Sequence, residues 1–87
     1  MISSDIQDRI TPAQLRAARA LVNWTAKDVA ERAQIGVATV RRAELAQGAL
    51  GITAANEAAI RRALEGAGVI FVAENGEGPG VRLRKKT

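Results

Sequence analysis

Two adjacent arginines, Arg41 and Arg42, are the side chains of this sequence best suited to recognise another molecule by hydrogen bonding. A guanidinium group presents its N–H donors in a planar fork, which fits the edge of a guanine base or a phosphate group. The pair lies in the segment 25–44, which reads as two short helices joined by a tight turn. A helix braced at an angle by such a turn can enter the major groove of DNA. A second pair, Arg61 and Arg62, indicates that adjacent arginines also fit a solvated helix face.

The residue types that are missing restrict the possible chemistry further. The 87-residue sequence contains no Cys, His or Tyr, and its only serines are Ser3 and Ser4. These absences remove disulfides, thiolate or imidazole metal sites and the usual pairs of nucleophile and base. We expect no enzymatic activity, no cofactor and no small-molecule ligand. The sequence also has no apolar run of membrane length and no signal-peptide pattern, so we expect a cytoplasmic protein.

Positive charge is concentrated at one end of the chain. The formal net charge is +4, from 13 basic and 9 acidic residues, and four of the basic residues lie within 81–87. The other nine basic residues equal the acidic ones in number, so the body is neutral. The basic end fits either a solvated tail or a contact with nucleic acid. A sequence-neutral nucleic-acid binder would need broad positive charge and stacking aromatic side chains, and here only Trp24 and Phe71 are aromatic.

Helix signals follow an irregular first segment. Thr11 before Pro12, Thr25 with an Asp three residues later, and Thr53 are N-cap signals. Gly36 precedes another short helical pattern. The buried face of the last helix is expected to consist of Ile60, Ala63, Leu64 and Ala67. The sequence therefore predicts a mainly α protein with four helices, at about residues 11–23, 26–33, 37–46 and 53–67.

The composition changes after the last helix. Residues 69–74 are rich in β-branched and aromatic side chains, residues 75–80 are turn formers, and residues 81–86 alternate apolar with basic side chains. This pattern predicts a β-hairpin with strands at about 69–74 and 81–86. An isolated hairpin is only marginally stable in water, so this one must pack against the helices or against a second copy.

Two stretches of the sequence resemble a known family. Residues 15–44, LRAARALVNWTAKDVAERAQIGVATVRRAE, look like the helix-turn-helix domain of Cro/C1-type regulators, the XRE family. Residues 60–84, IRRALEGAGVIFVAENGEGPGVRLR, resemble the end of a compact subgroup in which a hairpin follows the last helix. The resemblance implies a helix-turn-helix DNA-binding domain at 11–68. The absence of a sustained period predicts a flexible arm at 1–10, and the exposed edge strand of the hairpin makes residues 69–87, with their basic tail, the expected dimerisation element.

The resemblance also implies roles for individual residues. Base readout by the third helix is expected from Val37, Ala38 and Arg42. Phosphate contacts are expected from Thr25, Lys27, Gly36, Thr39 and Arg41. Arg19 and Glu44 are expected to form a partly buried ion pair that ties the third helix to the first. The dimer interface, along an exposed edge strand of the hairpin, is expected to contain Val69, Phe71, Val81 and Leu83.

The sequence departs from the family pattern at several points. Gly36 replaces the usual Ser or Thr cap, so bare backbone amides would face the phosphates. Val37 and Ala38 can pack on thymine methyl groups but cannot make bidentate hydrogen bonds. Ala26 replaces a Gln that commonly contacts phosphate. Gln34 replaces the usual Gly of the turn, so a left-handed backbone there would cost about 1 kcal/mol, unless the turn is built differently.

These expectations lead to one main hypothesis and one alternative. The main hypothesis is a homodimeric, sequence-specific regulator that binds a pseudo-palindromic operator in double-stranded DNA, acting as a repressor of its own gene or of others. The alternative is an antitoxin-like protein-interaction module with secondary DNA binding, whose partner would bind residues 1–10 or the last few. Arg19 and Arg42 also fit solvated helix positions. Trp24 is interpreted as a core residue rather than a base-stacking platform.

Overall fold

The computed structural model describes residues 9–85. Within that range the chain forms, in order, α1 (Pro12–Val22), α2 (Ala26–Ala33), α3 (Val37–Leu45), α4 (Ala54–Gly66), β1 (Val69–Val72) and β2 (Gly80–Leu83). The mainly α class with four helices and an antiparallel hairpin is therefore confirmed, and each helix end lies within one residue of its predicted position. None of the helices in this described range is long and apolar enough to cross a membrane.

The first two helices begin where short polar side chains satisfy free amide groups. Thr11 Oγ1 accepts a hydrogen bond from Gln14 N at 3.1 Å, while Gln14 Oε1 accepts one from Thr11 N at 2.8 Å. Thr25 and Asp28 repeat this reciprocal arrangement at the start of α2. Because a helix cap of this kind contributes about 1 kcal/mol, local chemistry fixes where both helices start.

The cap of α2 should make stability depend on pH. Hydrogen bonds with the backbone and then the side chain of Thr25 lower the pKa of Asp28, and the charges of Arg32 and Lys27 lower it further. A carboxyl group whose pKa falls on folding stabilises the fold above its unfolded pKa of about 3.9. That contribution disappears as the pH falls through the folded pKa. Asp28→Asn should therefore lower the Tm near neutral pH, and the difference from wild type should shrink below about pH 4.

A suitable control for this experiment lies on the same helix. Glu31 is exposed, so Glu31→Gln removes an acidic charge from α2 without removing the cap. Thermal unfolding followed by circular dichroism at several pH values would compare the two variants. A Tm difference for Asp28→Asn that stays constant from neutral to acid pH would show that the cap carboxylate does not cause it.

One hydrophobic core joins the helices to the hairpin. Its buried apolar side chains are Ile10, Leu15, Ala18, Val29, Ala30, Val40, Ala43, Leu50, Ile60, Leu64 and Val69. In α4 the predicted positions Ile60 and Leu64 are buried, whereas Ala63 and Ala67 are only half-buried. Each helix therefore contributes a narrow apolar stripe, and the polar faces remain free for other contacts.

Ile10, which the sequence assigns to a flexible arm, belongs to this core. Its side chain is buried, and its backbone N–H donates to Glu57 Oε2 on α4 at 3.0 Å. Ile2 and Ile6 precede it at four-residue spacing, but that short pattern does not indicate which Ile enters the core, so only the folded arrangement reveals its burial. Residues 1–8 of the expected arm lie outside the described residues.

The hairpin packs against the helical body through α1 and α4. Its paired residues are Val69 with Leu83, Ile70 with Arg82, Phe71 with Val81, and Val72 with Gly80. Gln14 on α1 is buried, and its Nε2 donates to Val72 O at 3.2 Å and to Gly80 O at 2.9 Å. One side chain thus closes α1 at its start and ties it to the end of the hairpin that the connecting loop closes.

Both strands are shorter than predicted. β1 ends at Val72 rather than at Glu74, because the Glu74 carboxylate accepts hydrogen bonds from Gly76 N at 2.7 Å and Gly78 N at 2.9 Å. Those bonds make Glu74 part of the connecting loop. The prediction of a strand through Glu74 was therefore wrong at its end.

The second strand begins and ends earlier than its sequence pattern indicates. It covers Gly80–Leu83 instead of residues 81–86. Arg84 N still donates to Gly68 O at 2.7 Å, and this bond closes the ladder beside the end of α4. Lys86 lies outside the described residues. The alternation of apolar and basic side chains continues beyond the point at which the partner strand stops.

Candidate nucleic-acid interface

A three-residue turn connects α2 to α3. Gln34 adopts the left-handed backbone conformation, with φ 60° and ψ 46°, although Gly is the residue that adopts it without strain. The N–H of Ile35 donates to Ala30 O at 3.0 Å, which closes the end of α2. Gly36 then returns to an extended conformation and starts α3. The turn geometry expected for this segment is thus present despite the replacement of Gly by Gln.

Replacing Gln34 by Gly should stabilise the protein. A non-glycine residue in the left-handed region costs roughly 1–2 kcal/mol, and the greater freedom of Gly in the unfolded chain offsets part of the gain. We expect Gln34→Gly to raise the free energy of unfolding by about 0.5–1 kcal/mol in urea. Asn23→Gly is the matched control, because Asn23 is also left-handed but tolerates that conformation better. An equal gain in both variants would show that the side chain of Gln34 carries no special strain.

The helix α3 presents one exposed stripe to solvent. Its members recur at helical spacing and are Ala38, Arg41, Arg42 and Leu45. The opposite side, with Val40, Ala43 and Glu44, is buried. Because Glu44 is the only acidic residue of α3, the exposed stripe carries positive charge alone.

Val37 differs from its expected position on this stripe. It is half-buried and packs against the core, whereas the sequence placed it among the first exposed positions of the helix. Thr39 is also half-buried, while Ala38 is exposed. Val37 therefore anchors the start of α3, and less of its side chain is accessible than the sequence pattern predicts.

Three of the five residues predicted to contact phosphate lie at two helix starts, and Thr39 and Arg41 lie further along α3. Thr25 and Lys27 are exposed at the beginning of α2, and Gly36 is exposed at the beginning of α3. Within the described chain no side chain caps α3. The first amide groups of a helix have no acceptor within that helix, so they favour negative charge. The uncapped start of α3 therefore has the polarity that a phosphate group requires, whereas at the start of α2 the Asp28 carboxylate accepts from Thr25 N and Thr25 Oγ1 accepts from Asp28 N.

Arg19 and Glu44 form a bidentate ion pair that joins α1 to α3. Arg19 Nε donates to Glu44 Oε2, and Arg19 Nη2 donates to Glu44 Oε1 at 3.1 Å. The third donor, Arg19 Nη1, binds Trp24 O at 2.9 Å. The relative exposure of the two side chains is 27% and 9%, so water reaches the arginine more than the carboxylate. One guanidinium therefore ties together α1, α3 and the connection that leads into α2.

A second arginine of α1 also holds Glu44, and sequence reasoning missed it. Arg16 Nη1 donates to the backbone carbonyl of Glu44. The available signal was the spacing, because Arg16 precedes Arg19 by three residues and so lies on a neighbouring part of the helix surface. Glu44 is thus bound through its side chain and its backbone by the same helix.

Trp24 packs with the core and is partly buried. The guanidinium carbon of Arg32 lies 4.9 Å from the centroid of its ring, a cation–π contact within the protein. One face of the indole is therefore already occupied. This arrangement agrees with the interpretation of Trp24 as a packing residue.

The four hairpin residues expected at a dimer interface differ in accessibility. Val69 is 1% exposed and belongs to the core of its own chain, so its side chain cannot reach a partner. Phe71 and Val81 are half-buried and pack against that core. Leu83 is 43% exposed. All four lie on one face because Val69 pairs with Leu83 and Phe71 with Val81, and that face covers the helices.

No protein-family model matches this chain, and no curated protein is significantly similar to it. An assignment of function therefore depends on the arrangement of α1, α2 and α3 and on the chemistry of the exposed residues of α3.

Proposed function

We propose that this protein is a sequence-specific, double-stranded DNA-binding transcriptional regulator of the Cro/C1-type helix-turn-helix class. The observation that carries the proposal is the exposed stripe of α3, with two arginines and no free acid, on a helix that an ion pair holds from behind. A helix about 10–12 Å in diameter fits into a major groove about 12 Å wide, and the nine residues of α3 extend about 14 Å along it. Small side chains at the start of the helix allow its backbone to approach the DNA closely.

The roles of the individual residues follow from their chemistry. Arg42 reads guanine through its two parallel donors, and Ala38, one turn earlier on the same stripe, packs on a thymine methyl group. Arg41 and Lys27 bind phosphate as point contacts. The amide groups at the start of α3, next to Gly36, bind phosphate through the helix dipole. Val37 contributes through its backbone only, since its side chain packs inward.

The proposed protein acts as a homodimer whose two α3 helices lie about one turn of DNA apart, roughly 34 Å. Such a dimer reads a pseudo-palindromic operator in the cytoplasm. Because the folded body is small and offers no catalytic groups, control comes from protein concentration and operator occupancy. Repression by blocking polymerase, including repression of its own gene, is the simplest output of that arrangement.

The edge of β2 is the proposed dimer contact. The bond from Arg84 N to Gly68 O marks a hydrogen-bonded pair, and in an antiparallel ladder such pairs alternate with pairs whose backbone groups point outward. The N–H and C=O groups of Val81 and Leu83 are therefore directed away from β1. An edge of this kind pairs readily with a second strand. Two β2 edges would also bring basic side chains together, so added salt should strengthen the dimer.

Leu83→Asp should convert the dimer into a monomer. The substitution places a desolvated carboxylate in the proposed strand pairing, and sedimentation velocity measures the result. Leu21→Asp is the matched control, because Leu21 on α1 is 39% exposed, close to the value for Leu83. A dimer that survives Leu83→Asp, or that Leu21→Asp disrupts equally, would contradict the role of β2.

The proposed function is tested by a mobility-shift titration at moderate salt. The DNA taken from the intergenic region upstream of the protein's own gene is compared with unrelated DNA of equal length. We expect the specific DNA to bind at least 1,000-fold more tightly, as is typical of such regulators. Equal affinity for both would contradict sequence-specific regulation. A second protein recovered in stoichiometric amount from the native host, together with equal affinities, would instead favour the protein-interaction module.

A further inference from the structure

The C-terminal end of α3 lacks the usual local cap. Many helices end with a left-handed Gly, but the residue that follows the last residue of α3, Ala46, is extended with φ −68° and ψ 157°. The N–H of Ala46 donates to Ala43 O at 3.4 Å, a long bond. The last carbonyl groups of a helix receive no hydrogen bond from an N–H group of that helix, so this end depends on donors from elsewhere. The neighbouring Leu45 is 81% exposed and adds no packing to hold the turn.

Arg16 supplies the missing donor from α1. Its Nη1 donates to the carbonyl oxygen of Glu44, 28 residues away in the chain. A cation at this point also complements the negative end of the helix dipole. Arg19, on the same helix, holds the carboxylate of Glu44. The two arginines therefore fix the last turn of α3 by its backbone and by its side chain independently.

We propose that Arg16 is a positioning residue for DNA reading, which acts by capping the C-terminal end of α3 from α1. This inference rests on the proposed function. The last turn of α3 contains Arg42, the residue assigned to guanine, so fraying of that turn moves the reading group relative to the groove. Arg16 is exposed, and a direct phosphate contact is the competing role. The two roles differ in what they do to specificity.

The experiment compares Arg16→Ala and Arg16→Lys with wild type. Arg62→Ala is the matched control, because Arg62 is an exposed arginine on α4 and its removal changes the net charge equally. The first readout is amide hydrogen exchange in the free protein. We expect Arg16→Ala to speed exchange about 10-fold at the amides of residues 43–46, the cost of one hydrogen bond to a charged donor. Arg16→Lys, which keeps a donor, should restore part of the protection, and Arg62→Ala should change nothing.

The second readout is the affinity for operator and for unrelated DNA at several salt concentrations. We expect Arg16→Ala to weaken operator binding about 10-fold, while non-specific binding and the salt slope stay unchanged. Equal weakening of both DNAs with a smaller salt slope would overturn the inference in favour of a phosphate contact. Unchanged exchange in Arg16→Ala, or faster exchange without loss of specificity, would also overturn it. Failure of wild type to discriminate between the DNAs contradicts the proposed function, and the exchange readout still decides whether Arg16 caps α3.

Discussion

Glu44→Ala is expected to lower the free energy of unfolding by about 3 kcal/mol, among the largest losses available from one substitution in this chain. The change leaves the guanidinium of Arg19 without its partner, at a site where water reaches only part of the side chain. Removal of one member of a buried pair costs roughly 3–5 kcal/mol, and the partial exposure of Arg19 places the value at the lower end. For a domain of this size the Tm should fall by roughly 12–24 °C. Urea unfolding and thermal melts measure both quantities.

A double-mutant cycle isolates the ion pair from other effects. Arg19→Ala should cost a similar amount, and the double variant should cost much less than the sum of the two single changes. The i,i+4 pair Arg61–Glu65 provides the control, because Glu65 is 41% exposed and Glu65→Ala should cost less than about 0.5 kcal/mol. Additive losses in the cycle would mean that Arg19 and Glu44 stabilise the protein independently of each other.

The parts of the fold that the sequence predicts well depend on interactions between near neighbours. The starts of α1 and α2 need only a Thr and an acceptor three residues later, and both lie within one turn. The left-handed Gln34 agrees with one of the two turn geometries that the sequence left open. Such features depend on residues close together in the sequence, and the tertiary contacts described here leave them unchanged.

The features that escape prediction depend on distant partners. Val37 begins a helix that is polar on its outer side, and only the packed core decides that its side chain turns inward. Ile10 is buried because its backbone binds Glu57, 47 residues later. The bond between Arg16 and the carbonyl of Glu44 also joins residues that are far apart in the sequence. A sequence pattern indicates which face of a helix is apolar, but it does not indicate which other part of the chain packs on each residue.

The dimer prediction needed revision for a related reason. Alternation in the hairpin indicates which residues share a face, and it correctly groups Val69 with Leu83. It does not indicate whether the helices or a second copy covers that face. In the folded chain the helices cover it, so the side chain of Val69 is not accessible to a partner, and the dimer contact that we propose uses the outward backbone of β2 instead.

Arg42→Ala is expected to weaken binding to the operator by about 1–3 kcal/mol and to relax specificity at one base pair in each half-site. A bidentate contact with guanine needs two parallel N–H donors of the guanidinium, and the Ala side chain has no donor. Stability should hardly change, because Arg42 is exposed on α3. Titrations against operators with single base-pair changes measure the effect. The variant should bind equally well to the cognate operator and to an operator mutated at the base pair that Arg42 reads.

Arg41→Ala is the matched control for this experiment, since it removes an adjacent exposed arginine from the same helix. A phosphate contact carries no sequence information, so this variant should weaken specific and unrelated DNA alike. It should also reduce the slope of log affinity against log salt by about one unit for each lost contact. If both variants lose affinity equally on all sequences and keep the same base preferences, neither arginine reads a base. The specificity of α3 would then have to come from Ala38 and from the shape of the DNA.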